Sequence, residues 1–410
     1  MGALYMSARL AGAEPALRAC LASEHSHLLL VGPEACAKNV LAEYVLKECN
    51  STVVTIDCTP ILEPSDIIEE LKRNNLVGSG RRAARATLCV RALHRARSDA
   101  WGTSAVHSFL LQLIQHGGFW SRGAEGAEGA VWCCTARLRV LAAAARPPAA
   151  QRLAAALPLA LIGDPDDEEL LELATNYLKS SVDKRFSLQE LSNLAGNILS
   201  MFRETTETFY SRPHYKWNAS HLRRLCENVK WYSPSNIDDL VMAISAEANF
   251  IFRERLCTDE EKARFNTISR VHLKTNNDAM YFACKLRGDG VYLEPTDYND
   301  WYRRTQNLIN QCLSEYENNA FDDTGAEVCS ELAVLCPAMA RTTNGGVLVC
   351  VGRAGAGRLA AARLAAAALP AALFVIHHPS HFNMQFKNAL SCAGEGGRAL
   401  VAVSEWAGGG

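Results

Sequence analysis

The sequence lacks the features that mark several broad classes of protein. It has no cysteines in C-x-x-C spacing, although 15 cysteines are scattered over its 410 residues. No apolar run approaches the length that crosses a membrane, and the formal net charge is only −2. Scattered cysteines in odd number indicate reduced thiols in an intracellular protein rather than a disulfide framework. The charge balance predicts no nucleic-acid partner, and the absence of a long apolar run predicts no membrane partner.

A strand, a tight loop and a helix are predicted near the start of the chain. The apolar run 28–31 leads into Gly32, and a lysine follows six positions later, before apolar residues resume at helical spacing. This order is typical of a phosphate-binding loop, G-x-x-x-x-G-K-[ST], whose backbone N–H groups hold phosphate while the lysine reaches the outer oxygens. The candidate binding residues are Gly32, Pro33, Glu34, Cys36, Lys38 and Asn39.

Two positions of this first loop depart from the pattern. Ala37 replaces the second glycine, and Asn39 replaces the hydroxyl residue that normally binds Mg²⁺. Alanine brings a Cβ to a place where the backbone approaches phosphate closely and where a positive φ is expected. Read alone, the segment is also compatible with an ordinary buried strand and turn.

A second copy of the pattern lies near the end of the sequence. The apolar run 347–351 precedes a loop that has both glycines, with arginine at the lysine position. Further apolar segments follow the two loops at the same distance, at 53–56 and 373–376. Two imperfect motifs with equal downstream spacing predict an internal repeat of one nucleotide-binding fold. The candidate residues of the second loop are Gly352, Gly355, Gly357 and Arg358.

Strand and helix patterns alternate up to about residue 165, as a parallel α/β sheet requires, and helical patterns follow. The sequence after the second loop is too short to close a sheet, so we expect a truncated module there. Strands are predicted at 27–31, 52–57, 86–91, 131–135 and 159–162, and helices at 106–114, 187–209, 219–231, 236–256, 298–317 and 326–337. The predicted domains are a lead-in (1–26), a large α/β subdomain (27–165), a helical lid (166–262), a helical connector (263–340) and the start of a second α/β subdomain (341–410).

The two acids that a hydrolytic enzyme of this type carries at the end of its third strand are absent. Those carboxylates hold Mg²⁺ and polarise the attacking water, but here the strand ends in Arg91 and Ala92. The second module retains only Glu405, with Ser404 at the first acidic position. We therefore predict no catalytic residues and no metal ligands. Thr135, at the end of the predicted fourth strand, is either a sensor of the γ-phosphate or an ordinary hydroxyl at a strand end.

Two clusters of side chains invite other interpretations. His377, His378 and His381 suggest zinc, but no cysteine or acid lies at ligand spacing, which favours solvated histidines. The arginines between Arg81 and Arg97 suggest nucleic acid. No aromatic residues alternate with those arginines, which favours a solvated face.

The two loops, the helical lid and several short landmarks together resemble the AAA+ ring of a dynein heavy chain. The first loop is similar to the pattern of that family's third module, and Asp99–Thr103 is similar to the segment after its third strand. Arg152-Leu153 and Leu161–Pro165 look like the motifs that close the large subdomain. The resemblance implies the third AAA+ module and the start of the fourth: a P-loop NTPase parallel sheet with a helical lid. Arg152 would then be an arginine finger offered to the neighbouring module.

The same resemblance implies ATP or ADP as ligand, without a well-held Mg²⁺, and a parent motor for retrograde intraflagellar transport toward microtubule minus ends. The implied partners are the neighbouring AAA+ modules and, through the parent chain, microtubules and the dynein intermediate and light intermediate chains. The implied location is the cytoplasm, cytoskeleton and cilium. The first module is then either a regulatory nucleotide site with little or no hydrolysis, or a scaffold that has lost nucleotide binding. An independent small GTPase or kinase is disfavoured because no Asn-Lys-x-Asp motif is present and neither loop is intact.

Overall fold

The chain forms two compact units in a computed structural model. Contacts assign residues 1–173 and 218–220 to the first unit, and residues 174–217 and 221–410 to the second. The structure describes residues 7–22, 27–48, 52–77, 86–122, 130–135, 138–147, 151–182, 185–274, 281–287, 290–315, 332–342, 347–351, 353 and 356–403. No helix in these ranges is both long and apolar enough to span a membrane.

The first unit is built on a five-stranded parallel sheet. The strands of the whole unit are β1 (Leu28–Val31), β2 (Thr52–Asp57), β3 (Ala86–Arg91), β4 (Gly118–Arg122), β5 (Ala130–Cys134), β6 (Leu138–Ala144) and β7 (Leu159–Leu161). Its helices are α1 (Ala8–Ala22), α2 (Lys38–Lys47), α3 (Pro64–Arg73), α4 (Ala105–His116), α5 (Gln151–Ala156) and the start of α6 (Asp167–Ser181). The sheet order is β2-β3-β6-β1-β7, and β4 and β5 form a separate antiparallel pair.

Both faces of the parallel sheet are covered by helices, which explains the uninterrupted apolar run of strand β1. Successive side chains of a strand point to opposite faces, so Leu29 and Val31 pack with α3 and α4. Leu28 and Leu30 pack on the other face with α1 and α2. The prediction of an α/β sheet on a strand–loop–helix unit is confirmed.

One predicted strand belongs to a different structure. The segment predicted at 131–135 forms β5, which pairs with β4 and not with the parallel sheet. The fourth strand of the sheet is β6, which lies between β1 and β3 and was not predicted. All seven residues of β6 are buried, so tertiary burial outweighs the low strand propensity of its three alanines.

The second unit is mainly helical. Beyond the end of α6, its elements are α7 (Leu188–Thr208), α8 (Ala219–Asn228), α9 (Ile237–Ile251), α10 (Asp259–Leu273), β8 (Tyr281–Arg287), β9 (Gly290–Thr296), α11 (Tyr298–Glu315), α12 (Leu332–Thr342), α13 (Arg358–Ala368), β10 (Ala372–Ile376), α14 (Phe382–Gly394) and β11 (Ala399–Val403). The predicted helix at 187–209 is confirmed within one residue at each end, and the one at 298–317 is confirmed up to Glu315, after which the chain lies outside the described residues. One core of this unit joins the β8–β9 hairpin to α11, α12 and α13.

Three details of the second unit correct the sequence predictions. The segment 263–340 is not wholly helical, because β8 and β9 form an antiparallel hairpin within it. Helix α12 does not end at Pro337 but continues to Thr342, because burial of Met339 and Ala340 against α13 offsets the cost of an internal proline. The run 347–351 is not a strand, since β10 and β11 pair only with each other among the described residues.

Candidate functional site

The first loop leaves the sheet at Gly32, between β1 and α2. The Gly32 N–H donates to the Ala144 carbonyl of β6 over 3.1 Å, and the Ile162 N–H donates to the Val31 carbonyl over 2.8 Å. A Cβ on Gly32 would overlap the Ile162 carbonyl oxygen and lie 2.8 Å from Cys36 Sγ. Glycine is therefore required at position 32 because the backbone of Ile162 packs closely against it. The motif spacing alone would explain the same glycine by phosphate binding.

The loop contains two non-glycine residues in the left-handed region. Ala35 has φ 65°, and Ala37, which caps α2, has φ 66° and ψ 10°. In the second loop the matching residue, Gly357, caps α13 with φ 70° and ψ 9°. The two loops thus enter their helices with the same backbone conformation. Successive N–H groups of this kind form an anion-binding concavity, so the loop geometry fits phosphate even though Ala37 has replaced glycine.

Replacing Ala37 with glycine is expected to raise the free energy of unfolding of the first unit by up to about 1 kcal/mol. A left-handed conformation is strained for alanine and free of strain for glycine. The matched control is Gly357→Ala, where a Cβ would meet nothing within 4 Å, so the change tests the backbone alone. It should lower the stability of the second unit by a similar amount. Urea unfolding, with hydrogen exchange at α2 and α13 to assign each transition, measures both; the same sign for both variants would contradict the prediction.

Lys38 is folded back onto its own loop. Its ammonium donates to the carbonyls of Gly32, over 2.9 Å, and Pro33, over 2.8 Å, and lies 3.9 Å from Cys36 Sγ. Only 8% of the residue is exposed. These carbonyls carry no net charge, so they do not neutralise the ammonium as a carboxylate would. The structure therefore brings Gly32, Pro33 and Cys36 together around the Lys38 ammonium, and their role in nucleotide binding stays a prediction.

The environment of Arg91 does not fit Mg²⁺, whereas Asn39 keeps an oxygen that no described donor satisfies. The Asn39 side-chain oxygen is buried without a hydrogen-bond partner at the position of the usual hydroxyl ligand. Arg91 donates from Nε and Nη2 to both oxygens of Asp57, each over 2.7 Å, and from Nη1 to Glu43 over 3.1 Å. These hydrogen bonds hold the pKa of Asp57 below its usual value. Mg²⁺ prefers carboxylate oxygens, and this carboxylate is already committed to a guanidinium.

His94 is a site residue that the motifs missed. It lies in the short 3₁₀ turn after β3, and its Nδ1 accepts the Ala145 N–H over 3.0 Å, which leaves the proton of the neutral ring on Nε2. Burial, and then the charge of Arg95, lowers the pKa of His94. Arg95 also lies 3.6 Å from Glu34 on the exposed side of the loop. The signal was its place just after a parallel strand, where α/β sheets carry their functional residues.

Thr135 and Arg152 lie apart from these contacts. Thr135 follows β5 and its N–H donates to the Gly117 carbonyl over 2.8 Å. Because β5 is outside the parallel sheet, the interpretation of Thr135 as a γ-phosphate sensor at the end of the fourth strand is wrong; the end of that strand is Ala144. Arg152 lies on α5 with an exposed side chain, and its predicted role as an arginine finger stays a prediction.

Part of the second loop lies within the described residues. Gly357 caps α13 and Arg358 is its first residue, whereas Gly352, Gly355, Ser404 and Glu405 lie outside the described residues. His377, His378 and His381 are exposed, and His378 Nδ1 lies 2.8 Å from the Ser380 hydroxyl. Within the described ranges no three histidine, cysteine or acidic side chains are grouped to hold a metal ion.

The sheet order, the loop between β1 and α2, and the helices that follow define an α/β P-loop fold of the AAA+ type. No family model matches the sequence. The chain is 24% identical over 292 residues to cytoplasmic dynein 2 heavy chain 1 of Tripneustes gratilla, covering 65% of this chain and 7% of that protein. The protein of the same name from Chlamydomonas reinhardtii is 25% identical over 248 residues, covering 57% and 6%. That from Homo sapiens is 23% identical over 272 residues, covering 58% and 6%.

These similarities confirm the resemblance to a dynein heavy chain that the motifs predicted. The chain spans about 7% or less of the length of these curated relatives.

Proposed function

We propose that the chain is an AAA+ portion of a dynein heavy chain, and that its first loop binds ATP or ADP as a regulatory site with little or no hydrolysis. The observation that carries this proposal is the division of charges at the sheet edge. The Lys38 ammonium lies in the loop on two neutral carbonyls, which phosphate oxygens would replace, while Arg91 occupies the end of β3 and is paired with Asp57. Binding is thereby supported without the groups that activate water.

The roles of the residues follow from this geometry. The N–H groups at the left-handed turns and the first turn of α2 would hold the phosphates, and the Lys38 ammonium would exchange its carbonyl partners for phosphate oxygens. A bound nucleotide would supply the negative charge that favours this exchange. His94 offers its Nε2 proton near the same edge. His94 is not placed as a general base for water, because its Nδ1 already accepts the Ala145 N–H and its Nε2 carries the ring proton.

The wider role of the parent chain follows from the relatives' names, which identify dynein 2 heavy chains. We propose an ATP-dependent motor that moves toward microtubule minus ends in retrograde intraflagellar transport, in the cytoplasm, cytoskeleton and cilium. Its proposed partners are the neighbouring AAA+ modules, reached in part through Arg152. Microtubules and the dynein intermediate and light intermediate chains would be bound through the parent chain.

A second candidate function is a scaffold module that has lost nucleotide binding. One observation favours it: Ala37 keeps a strained left-handed backbone without glycine. In that case the loop would serve only to connect β1 to α2.

Calorimetric titration of ADP and ATP into the 410-residue protein separates the two functions. We expect micromolar binding by the wild type, weakened about tenfold to a hundredfold in Lys38→Ala, because charge-assisted hydrogen bonds to phosphate are lost. Lys47→Ala, at the exposed end of the same helix, is the matched control and should bind normally. A folded wild type that binds neither nucleotide would establish the scaffold instead.

A further inference from the structure

Helix α1 lies in the segment that the sequence identifies only as a lead-in. Its residue Arg9 contacts the first loop. Arg9 Nη1 donates to the carbonyl of Cys36 over 2.9 Å and to the carbonyl of Gly163 over 3.0 Å. Its Nη2 and Nε donate to the two carboxylate oxygens of Glu169 over 2.7 Å and 3.0 Å. The side chains of Arg9 and Glu169 are only 17% and 5% exposed. The guanidinium therefore joins three segments of the first unit: α1, the loop, and the connection from β7 into α6.

The contact with Cys36 bears on the orientation of the loop. The Cys36 carbonyl shares a planar trans peptide with the N–H of Ala37, so the two groups point in opposite directions. A carbonyl held toward Arg9 turns the Ala37 N–H to the other side of the loop. Ala37 is the left-handed residue at the start of α2, where backbone N–H groups meet an anion. Arg9 thus holds the peptide whose N–H would bind phosphate.

The contact with Glu169 fixes the guanidinium itself. Glu169 lies in the first turn of α6, where its N–H donates to Asp166 Oδ1 over 2.8 Å. A bidentate pair with a buried carboxylate leaves the arginine fork little freedom. The remaining Nη1 hydrogens are therefore aimed at Cys36 and Gly163. This arrangement requires the planar fork of arginine, which lysine cannot reproduce.

We propose that Arg9 is a positioning residue that presets the first loop for phosphate and couples the docking of α1 to nucleotide occupancy. This inference rests on the proposed function that the loop binds nucleotide. Coupling of this kind is reciprocal: if the docked helix favours phosphate binding, bound phosphate must favour the docked helix by the same factor. Helix α1 would then report the state of the site to whatever contacts it.

ADP titration and hydrogen exchange of residues 8–22 test the inference on the full chain. Arg9→Gln should weaken ADP binding about tenfold, and ADP should slow exchange in α1 of the wild type but not of this variant. Arg18→Gln is the matched control on the same helix, since Arg18 pairs with Glu14 and Glu48 and not with the loop. It should bind ADP within about twofold of the wild type and keep the protection of α1.

Each outcome discriminates between the proposals. ADP binding by the wild type without protection of α1, or normal ADP binding by Arg9→Gln, overturns the coupling and leaves the nucleotide site standing. No binding by a folded wild type overturns both. If Arg9→Gln does not fold, Arg9→Lys replaces it: lysine keeps the charge but not the fork, so it should fold and still lose ADP affinity, and a Lys variant with full affinity contradicts the inference.

Discussion

Arg341→Met is expected to lower the free energy of unfolding of the second unit by about 3–5 kcal/mol, because it leaves a buried carboxylate unpaired. Glu247, on α9, has no exposed surface, and it is ion-paired with Arg341 at the end of α12. Tyr232 donates to Glu247 over 2.9 Å and Asn228 over 3.0 Å, but these neutral donors cannot balance its charge. Burial raises the pKa of the Tyr232 hydroxyl well above its usual value. Tyr232 therefore keeps its proton and does not neutralise the Glu247 carboxylate by transferring it.

A double variant and an exposed pair provide the controls. Arg341→Met combined with Glu247→Leu removes both charges, so it should recover most of the lost stability. Glu227→Ala breaks the exposed pair with Arg223 and should cost no more than about 0.5 kcal/mol. Urea unfolding, with hydrogen exchange at α9 and α12 to assign the transition, measures all three. If Arg341→Met costs no more than Glu227→Ala, the buried pair does not hold these helices together.

Gly32→Ala is expected to destabilise the first unit by about 3 kcal/mol and to abolish ADP binding. The added Cβ would overlap the carbonyl oxygen of Ile162. It would also lie 3.2 Å from the carbonyl carbon of Ile162 and 2.8 Å from Cys36 Sγ. A backbone carbonyl cannot rotate out of the way as a side chain can, so either β7 separates from β1 or the loop shifts. Overpacking of this kind costs about 1–3 kcal/mol or more. Either movement displaces the carbonyls that hold Lys38.

Gly163→Ala is the matched control for this change. It lies next to Ile162, but a Cβ there would meet nothing within 4 Å. Alanine also keeps the backbone carbonyl that accepts from Arg9 Nη1, so stability and ADP binding should change little. Thermal unfolding and ADP calorimetry on the two variants make the comparison. A stable Gly32→Ala protein with normal ADP affinity would show that the close approach of the loop to β7 does not matter.

The first loop was predictable because its pattern is local. Four apolar residues, a glycine and a lysine at fixed spacing place Lys38 at the start of a helix after a buried strand, whatever the rest of the fold does. The fourth sheet strand was not predictable in the same way. Its last residues are alanines, which indicate no preference for strand until β1 and β3 are placed on either side.

The site shows the same division between near and distant contacts. The absence of acids at Arg91 and Ala92 is visible in the sequence, but the pairing of Arg91 with Asp57 depends on the register of β2 against β3. Arg9 reaches Cys36 and Glu169 across 27 and 160 positions of sequence. No spacing rule connects residues so far apart, because only the packed core sets their distance.

The sequence by itself determined the α/β class, the two phosphate-loop patterns, the loss of the carboxylates and the resemblance to a dynein heavy chain. Each of these depends on residues within one turn, one strand or one motif. Tertiary structure alone decided that β6 completes the sheet, that Gly32 is required by β7, and that Arg9 and Glu247 are held in buried ion pairs. The physical reason is that burial and charge pairing depend on which distant segments meet, and a linear pattern carries no distance between them.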